Sequence, residues 1–375
     1  TRCCERALQL AKLSSPDPNS LPLPGRQTYE TTDSFFESTH ACDAATRASQ
    51  VAAMIRSGEK SRATLAGAHK ISTTGISIGN SQGLFAFAKG TEATLSVTAT
   101  RNDATGASLA NSLDIRHIRP EALVESAIQK AIVSEKTSAL PSGEYTVILE
   151  PLAVLNLLSS MIIDYISQVC PFSGTALQNK LGFTVGQLGK KVFGDNFTLD
   201  DNVYHPLHQG VPFDGEGMPR MPVILVFGGR LTQLVHSRAS ALQMGEQPTG
   251  HALELPNPYG AVPQHIVMQG GDSTIEQMIA KTERGLYITR FWYNRIVDPA
   301  RLALTGMTRD GTFLIENGQI VRGVKNMRYN ESLFNIFQRI TDLGEQVRTY
   351  DEESDRAMVV PPVRVEGFRF HSAQT

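Results

Sequence analysis

Short strand-like segments separated by turn residues dominate the chain after Glu144, and they limit the folds that it can adopt. Apolar runs bounded by Gly, Asp, Asn or Pro recur, as in "MPVILVFGGRLTQLV", "HIVMQGG", "GLYITRFWYNRIV", "GTFLIENGQIVRGV" and "VRVEGFRF". Many short strands closed by turns are typical of curved antiparallel sheets and barrels. The sequence also favours helices at 153–169, 273–282 and 331–343. We therefore predict that residues 141–375 form an antiparallel, barrel-like β domain with flanking helices.

The first 140 residues combine helices with one strand-rich stretch. Helices are predicted at 1–13, 43–57 and 120–134, and four prolines make 14–25 a linker-like segment. Between 62 and 110, an abundance of Thr, Ser, Ile and Val favours strands, with reversals expected at 79–83 and 89–92. The prediction is an α+β fold, in which an N-terminal α/β-meander domain at 1–140 ends in the turn-rich "SEKTSALPSG". Two domains also fit the length of 375 residues.

Composition excludes several function classes. A formal net charge of -2 gives no basic face for nucleic acid. No apolar run approaches the roughly 18 residues that span a bilayer, and residues 1–10 lack the apolar core of a signal peptide. The four cysteines, which form no C-x-x-C pair, are expected to be free thiols: Cys3, Cys4, Cys42 and Cys170. We predict a cytoplasmic protein with no nucleic-acid partner and no membrane partner.

No familiar catalytic motif is present. A zinc peptidase helix carries two histidines on one face with a glutamate between them, but none of the nine histidines here precedes a glutamate. His205 and His208 are the closest pair, in the Pro-containing "YHPLHQG", where polar loop residues are favoured over metal ligands. "GISIG" matches a serine-nucleophile pattern in letters only, because it lies in a strand-like run with no helix after it.

Three further features admit a structural and a functional interpretation. Asp214 and Glu216 in "FDGEG" favour a tight turn, with contact to a substrate or partner as the alternative. The segments 309–311 and 316–318 are predicted to be hairpin turns, because D-G and N-G favour such turns. Trp292 lies in an aromatic strand, where core packing is favoured and a subunit interface is the alternative.

One ordered set of phrases identifies a family. It comprises "PSGEYTVILEPLAVLNLL", "PFDGEGMPR", "PTGHA", "GLYITRFWYNRIVDP", "LTGMTRDGTFLIENGQI" and "GVKNMRYNESL". This succession resembles the C-terminal domain of the TldD/PmbA family, the peptidase U62-like proteins that are also called modulators of DNA gyrase. The resemblance covers residues 142–370, and more weakly the segment before them. It implies that the family's usual opening strand-and-helix segment is missing here.

The resemblance also implies which residues stand at the family's zinc motif. TldD-type chains carry H-E-x-x-x-H on the helix after the strand that corresponds to "YTVILEP", and a cysteine ligand near the C-terminus. The matching positions here are Ser159, Ser160 and Asp164, and no cysteine follows Cys170. This pattern places the chain on the PmbA (TldE) side, with no catalytic residues and no metal or cofactor of its own.

The function that the resemblance implies is a non-catalytic subunit beside a TldD-type zinc peptidase. The complex would degrade unfolded or short peptides and trim modified peptide precursors, and zinc would reside in the partner. The partner would be a TldD-type chain or a second copy of this one, forming a dimer. The peptide would bind as an extended strand along a sheet edge. One alternative is a self-associating protein that binds peptides without hydrolysis. Another is an independent metallohydrolase using His205, His208 and Asp214.

Overall fold

A computed structural model describes residues 2–15, 20–162, 170–255, 257 and 259–371. The helices within those residues are α1 Arg2–Leu13, α2 Glu37–His40, α3 Ala44–Lys60, α4 Pro120–Ser134, α5 Pro151–Ile162, α6 Gly174–Gln178, α7 Arg238–Met244, α8 Ile275–Ala280 and α9 Leu333–Gln338. The strands are β1 Thr64–Gly79, β2 Phe85–Arg101, β3 Ala104–Ser112, β4 Thr137–Ser138, β5 Gly143–Leu149, β6 Leu199–Asp201, β7 Val223–Phe227, β8 Arg230–Leu231, β9 Ile266–Met268, β10 Arg284–Asp298, β11 Ala303–Glu316, β12 Gln319–Val324, β13 Arg328–Ser332, β14 Ile340–Leu343, β15 Val347–Asp351, β16 Arg356–Val360 and β17 Val363–His371.

The strands β1, β2 and β3 form a three-stranded antiparallel meander, as predicted for this stretch. β1 and β2 are joined at the first predicted reversal, where Gly83 adopts a φ of +84° and its N–H donates to the carbonyl of Asn80 over 3.3 Å. A left-handed backbone of this kind favours glycine because it has no Cβ. The turn signal at 79–83 was therefore sufficient to predict this hairpin.

The second predicted reversal, at 89–92, is wrong. These residues continue β2 and pair with residues 72–75 of β1. The hydroxyl of Thr91 donates to the carbonyl of Leu113 and accepts from the N–H of Phe36, which holds this part of β2 extended. The chain turns instead at Asn102 and Asp103, with φ of +46° and +65°. Asn and Asp tolerate this conformation better than most residues, so the true signal lay ten residues further on.

The two faces of the meander differ in character. One face packs on α3 and α4 through a cluster that includes Leu95, Val97, Val124 and Ile128. α4 crosses β3 closely because residue 106 is glycine, where a Cβ would lie 2.3 Å from the carbonyl oxygen of Ala127. The opposite face carries mainly small and polar side chains. That polar face is turned toward the C-terminal part of the chain.

Five strands close a barrel. β10 pairs with β5 and β11, β17 pairs with β5 and β13, and β13 pairs with β11. The β10–β5 pairing is parallel and the other four are antiparallel. Buried side chains such as Leu286, Ile288, Val365 and Phe368 place these strands around the larger hydrophobic core. The predicted α+β fold with a barrel-like C-terminal part is confirmed.

A six-stranded sheet lies beside the barrel in the order β15-β16-β9-β6-β7-β8. Its pairings are antiparallel except for β16 with β9. β15 is an edge strand, and it lies close to β3 of the meander. This placement brings a strand edge from each half of the chain to one location.

The two predicted hairpin turns of β11 have different outcomes. Asn317 and Gly318 form the predicted turn between β11 and β12, with φ of +50° and +75°. Asp310 and Gly311 instead lie inside β11, where the register with β10 shifts between Ile288 and Arg290. This is a β-bulge, because two residues of one strand stand opposite one residue of the other. The hairpin prediction for 309–311 is therefore wrong.

Two helices, predicted at 331–343 and at 273–282, are shorter than expected. The predicted helix at 331–343 is α9 over only six residues, and its last part is the strand β14, which pairs with β17. Of the helix predicted at 153–169, residues 153–162 lie in α5 and residues 163–169 fall outside the described part of the chain. The helix predicted at 273–282 is α8. At its N-terminus the side chain of Thr274 accepts from the N–H of Gln277, and the side chain of Gln277 accepts from the N–H of Thr274.

Two hydrophobic clusters lie on either side of the predicted boundary at residue 140. The smaller contains residues from Met54 to Ala131, and the larger begins with Leu140. The division into domains at 1–140 and 141–375 stays a prediction. Each helix that the structure describes is too short or too polar to cross a lipid bilayer.

Candidate functional site

Two cavities lie against the polar face of the meander. The first, of about 1000 Å³, is lined by residues 107–114 and 347–352, so we call it the strand-edge cavity. Among the described strands, β3 pairs only with β2 and β15 pairs only with β16. Each of these two strands therefore presents an outer edge with no strand bound to it. Such an edge carries N–H and C=O groups that an extended chain can pair with.

An ion pair lies at the barrel end of the strand-edge cavity. The ammonium of Lys130 lies 2.7 Å from the carboxylate of Glu150, the residue before α5. The hydroxyls of Tyr287 and Thr289 also donate to this carboxylate. Burial, followed by the nearby Glu150, raises the pKa of Tyr287 well above its ordinary value. These contacts fix α4 of the meander region to β10 of the barrel and hold the rim of the cavity in place.

The second cavity, of about 820 Å³, is lined by His208 and His265, so we call it the histidine cavity. Their rings are 5.2 Å apart. Burial lowers the pKa of His265 to about 3 and holds the pKa of His208 well below its ordinary value, with the positive charge of Arg348 adding to the effect at His208. Both imidazoles are therefore neutral at pH 7, and they offer the cavity hydrogen bonds without charge.

Arg348 lines both cavities. Its guanidinium donates to the carboxylate of Glu92 over 2.6 Å, to the side-chain oxygen of Asn111 over 2.6 Å, and to Nδ1 of His208. These bonds join β15 to β2 and β3 of the meander and to the segment 202–210. Arg348 thus lies between the two cavities, and its hydrogen bonds attach the walls of both to the polar face of the meander.

The positions that match the family's zinc motif lie on α5. Ser159 is buried and its hydroxyl has no hydrogen-bond partner, while the hydroxyl of Ser160 lies 3.5 Å from the carbonyl of Asn156. Asp164 lies outside the described residues. Neutral serine hydroxyls do not hold Zn²⁺ tightly, since zinc prefers imidazole, thiolate and carboxylate. Ser159 and Ser160 therefore do not fit a zinc ion.

Asp214 organises a tight turn, as the sequence favoured. Its carboxylate accepts from the N–H groups of Glu216, Met218 and Ala252, each at 2.9 Å. Glu216 accepts from the N–H of Arg238, and burial raises the pKa of its carboxyl group. Asp214 lines the histidine cavity, yet both its oxygens are occupied by backbone donors. These contacts give both residues a structural role, and the predicted contact with a substrate or partner stays a prediction.

His205 and His208 are not brought together with Asp214 as a metal-binding set. Nδ1 of His205 accepts from the N–H of Leu207, and Nδ1 of His208 accepts from Arg348. Over the residues that the structure describes, no group of three His, Cys, Asp or Glu side chains could hold a metal ion. The hypothesis of an independent metallohydrolase at these three residues gains no support from this arrangement.

Trp292 lies on β10 and is partly buried, and it is not among the residues that line the two cavities. The guanidinium of Arg309 stacks over its ring at 4.2 Å. Its neighbour Tyr293 is exposed and has a φ of +58°, at a register shift between β10 and β11. A subunit interface at Trp292 stays a prediction.

A buried triad-like arrangement elsewhere is closed to ligands. His251 lies between Asp201, at 2.9 Å, and the hydroxyl of Thr249, at 3.0 Å. His251 is fully buried, and the hydroxyl of Thr249 already bonds to the backbone of His236. A nucleophile must be reachable by a substrate. This arrangement therefore stabilises the buried core around His251.

The sequence reasoning missed the residues that form both cavities, namely Arg348, Glu150, Arg220 and His265. Glu150 and Arg220 lie in two of the family phrases, but no catalytic or binding motif marks any of the four residues. Their partners are up to 256 positions away in the chain, as for Arg348 and Glu92. Of the residues that line the cavities, the sequence had singled out His208, through its spacing from His205, and Asp214, in "FDGEG". A lone arginine in "VRTYD" gives no signal of its surroundings.

The chain is similar to known metallopeptidases. The PmbA/TldA metallopeptidase C-terminal domain matches residues 142–372. Metalloprotease PmbA from Escherichia coli O157:H7 is 27% identical over 201 residues, which cover 52% of this chain and 41% of that protein. A metalloprotease from Methanothermobacter thermautotrophicus is 23% identical over 221 residues, which cover 59% of this chain and 47% of that protein. The chain thus spans less than half the length of these curated relatives.

A solved structure shares the fold. TldE from Thermococcus kodakarensis superposes with a TM-score of 0.85 at 22% identity, over 98% of this chain and 83% of that one. PmbA and TldE are both of the type that the sequence phrases predicted. Because the domain match covers well over half of the chain, the protein belongs to the PmbA/TldD family of metalloprotease-like proteins.

Proposed function

We propose that this chain is a non-catalytic subunit of PmbA/TldE type that binds peptides in an extended conformation beside a TldD-type zinc peptidase subunit. The observation that carries the proposal is the strand-edge cavity, where the unpaired edges of β3 and β15 face the same space. A peptide strand added to either edge forms main-chain hydrogen bonds that do not depend on its side chains. Such binding suits a complex that acts on unfolded or short peptides and on modified-peptide precursors.

The size of the strand-edge cavity supports a peptide over a small metabolite. A volume of about 1000 Å³ lies at the upper end of what small-molecule pockets enclose. Side chains along its sheet wall are small or polar, such as Ala68, Ser96 and Thr98. They leave room for varied side chains of a ligand. Weak sequence preference is the expected consequence.

Two observations support a non-catalytic role. The family's zinc motif is replaced by residues that do not fit zinc at Ser159 and Ser160, and the glutamate that would activate a metal-bound water is absent there. The hydrolytic zinc would then belong to a TldD-type partner, or the functional unit would be a dimer of this chain. The described cysteines are free, which suits a reducing cytoplasm.

The proposal is tested by measuring bound zinc and peptidase activity of the purified chain, alone and mixed with a TldD-type subunit. We expect no stoichiometric zinc and no hydrolysis by the chain alone, with hydrolysis in the mixture exceeding that of the TldD-type subunit alone. Stoichiometric zinc with hydrolysis by the lone chain would contradict the proposal. Peptide binding with no hydrolysis in either sample, together with self-association, would favour the self-associating peptide-binding protein.

A further inference from the structure

The strand-edge cavity and the histidine cavity follow one another along the polar face of the meander. Even-numbered residues of β1 from 66 to 70 line the first, and those from 72 to 78 line the second. On β2, residues 96–98 line the first cavity and residues 90–92 line the second. Side chains two residues apart share one face of a strand. One face of two long, paired strands therefore forms a common floor under both cavities.

A loop of the C-terminal part also passes from one cavity into the other. Pro206 and Leu207 line the strand-edge cavity, and the next residues, 208–211, line the histidine cavity. Of the residues that the structure describes, Arg348 alone lines both cavities. The two cavities are therefore consecutive sections of one groove, and they meet at Arg348.

The side chain of Arg348 crosses this groove. It extends from β15, and its guanidinium donates over 2.6 Å both to the carboxylate of Glu92 on β2 and to the side-chain oxygen of Asn111 on β3. It also donates to Nδ1 of His208, on the loop. The Arg348 side chain is only 10% exposed. Because hydrogen bonds from a charged donor are roughly twice as strong as neutral ones, the guanidinium moves aside only at a considerable cost.

The strand-edge section has a defined length up to Arg348. β3 lines this section with residues 107–112, and Asn111, near the end of β3, holds the guanidinium. A ligand strand pairs with an edge strand residue for residue, so this stretch accommodates a peptide of about six residues. Beyond Arg348 the floor of the groove continues with Ile76 and Ile78, against which further ligand residues would bury apolar surface.

We propose that Arg348 limits the length of the peptide that the groove binds, because its side chain keeps an extended ligand in the strand-edge cavity from continuing into the histidine cavity. The inference rests on the proposed peptide-binding function and adds the length of the ligand to it. The preferred ligand is then a short peptide of about six residues, one end of which lies at Arg348. A longer peptide gains no further contacts with the groove.

The first test places a tryptophan in each section of the groove while Arg348 is kept. Ala68→Trp and Thr74→Trp change two residues on the same face of β1, and strands accept aromatic side chains well. Binding of a fluorescein-labelled dodecapeptide rich in Ala, Leu and Gln to the 375-residue chain is followed by fluorescence anisotropy. We expect Ala68→Trp to weaken binding on the order of tenfold and Thr74→Trp to change it less than about twofold.

The second test removes the guanidinium that crosses the groove. Labelled peptides of six and twelve residues are compared on the unsubstituted chain and on Arg348→Ala. We expect the unsubstituted chain to bind both within about twofold, and Arg348→Ala to bind the dodecapeptide on the order of tenfold more tightly than the hexapeptide, since the extra residues enter the histidine cavity. Arg301→Ala is the matched control and should behave as the unsubstituted chain, because that side chain is 83% exposed and lines neither cavity.

An equal ratio of the two affinities in Arg348→Ala and in the unsubstituted chain would overturn the inference and leave the proposed function intact. So would a loss of dodecapeptide binding in Thr74→Trp as large as that in Ala68→Trp. Absence of binding by both peptides, or unchanged binding in Ala68→Trp, would contradict the proposed function itself, and the inference with it. If Arg348→Ala fails to fold, the two tryptophan variants still decide, because both keep Arg348.

Discussion

The strand-edge cavity and the histidine cavity lie against the same face of the meander, but they offer a ligand different groups. The first is bordered by open backbone edges of β3 and β15 and by small side chains. The second is lined by buried polar side chains, among them Arg220 and His208. Backbone edges accept many sequences, whereas buried polar side chains in fixed positions favour particular groups.

Replacing Arg348, which separates the two cavities, is expected to have the largest effect. Arg348→Ala removes the donor to Glu92, Asn111 and His208 at once and leaves a largely buried carboxamide and imidazole without their partner. Removing one member of a buried charged network costs about 3 kcal/mol. Urea denaturation should therefore show a free energy of unfolding lower by about that amount.

The control for Arg348 is Lys70→Ala, which breaks an ion pair with Glu352 at the mouth of the strand-edge cavity. The two side chains are 58% and 40% exposed, so their pair is screened by solvent and its loss should cost less than about 1 kcal/mol. Similar losses in both variants would show that Arg348 is not the shared support of the two cavities.

The histidine cavity should make stability depend on pH between about 6.5 and 4. Folding lowers the pKa of His208 and His265 from an ordinary value of 6.5. Below about pH 6.5 the unfolded chain therefore binds protons that the folded chain does not, and stability falls as the pH drops toward 4. Each such histidine contributes a slope of up to about 1.4 kcal/mol per pH unit.

His208→Gln should reduce that slope by the contribution of one histidine, as measured by urea denaturation between pH 6.5 and 4.5. His69, His205 and His236 also have lowered pKa values, so part of the slope should persist in the variant. His117→Gln, at an exposed position, is the matched control. An unchanged slope in His208→Gln would contradict a neutral, buried imidazole at this position.

Local signals in the sequence predicted the elements better than they predicted the sites. Asn317–Gly318 forms the hairpin turn that its residues favour, whereas Asp310–Gly311 uses the same chemistry for a bulge inside β11. The dipeptide specifies a left-handed backbone in both cases. Pairing with β10 on both sides of Asp310 decides that the strand continues, and that information is not local.

The sequence predicted a barrel-like sheet, but it did not predict which strands pair to close the barrel. Turn-separated strands after Glu144 indicated a curved sheet, yet the parallel pairing of β10 with β5 depends on residues that lie about 140 positions apart. The same holds for the cavities, since Arg348 meets Glu92 only because β15 passes the meander. The match of Ser159 and Ser160 to the family's zinc positions stays a prediction, and it required only an alignment of phrases along one helix.

Amide hydrogen exchange with and without peptide tests the proposed binding mode most directly. Saturating the chain with an octapeptide rich in Ala, Leu and Gln should slow exchange in β3, Ala104–Ser112, and in β15, Val347–Asp351, because an added strand would pair with their outer edges. The turn at Asn317 and Gly318, on a different part of the surface, should exchange at an unchanged rate. Bound peptide with no added protection in either β3 or β15 would contradict the account.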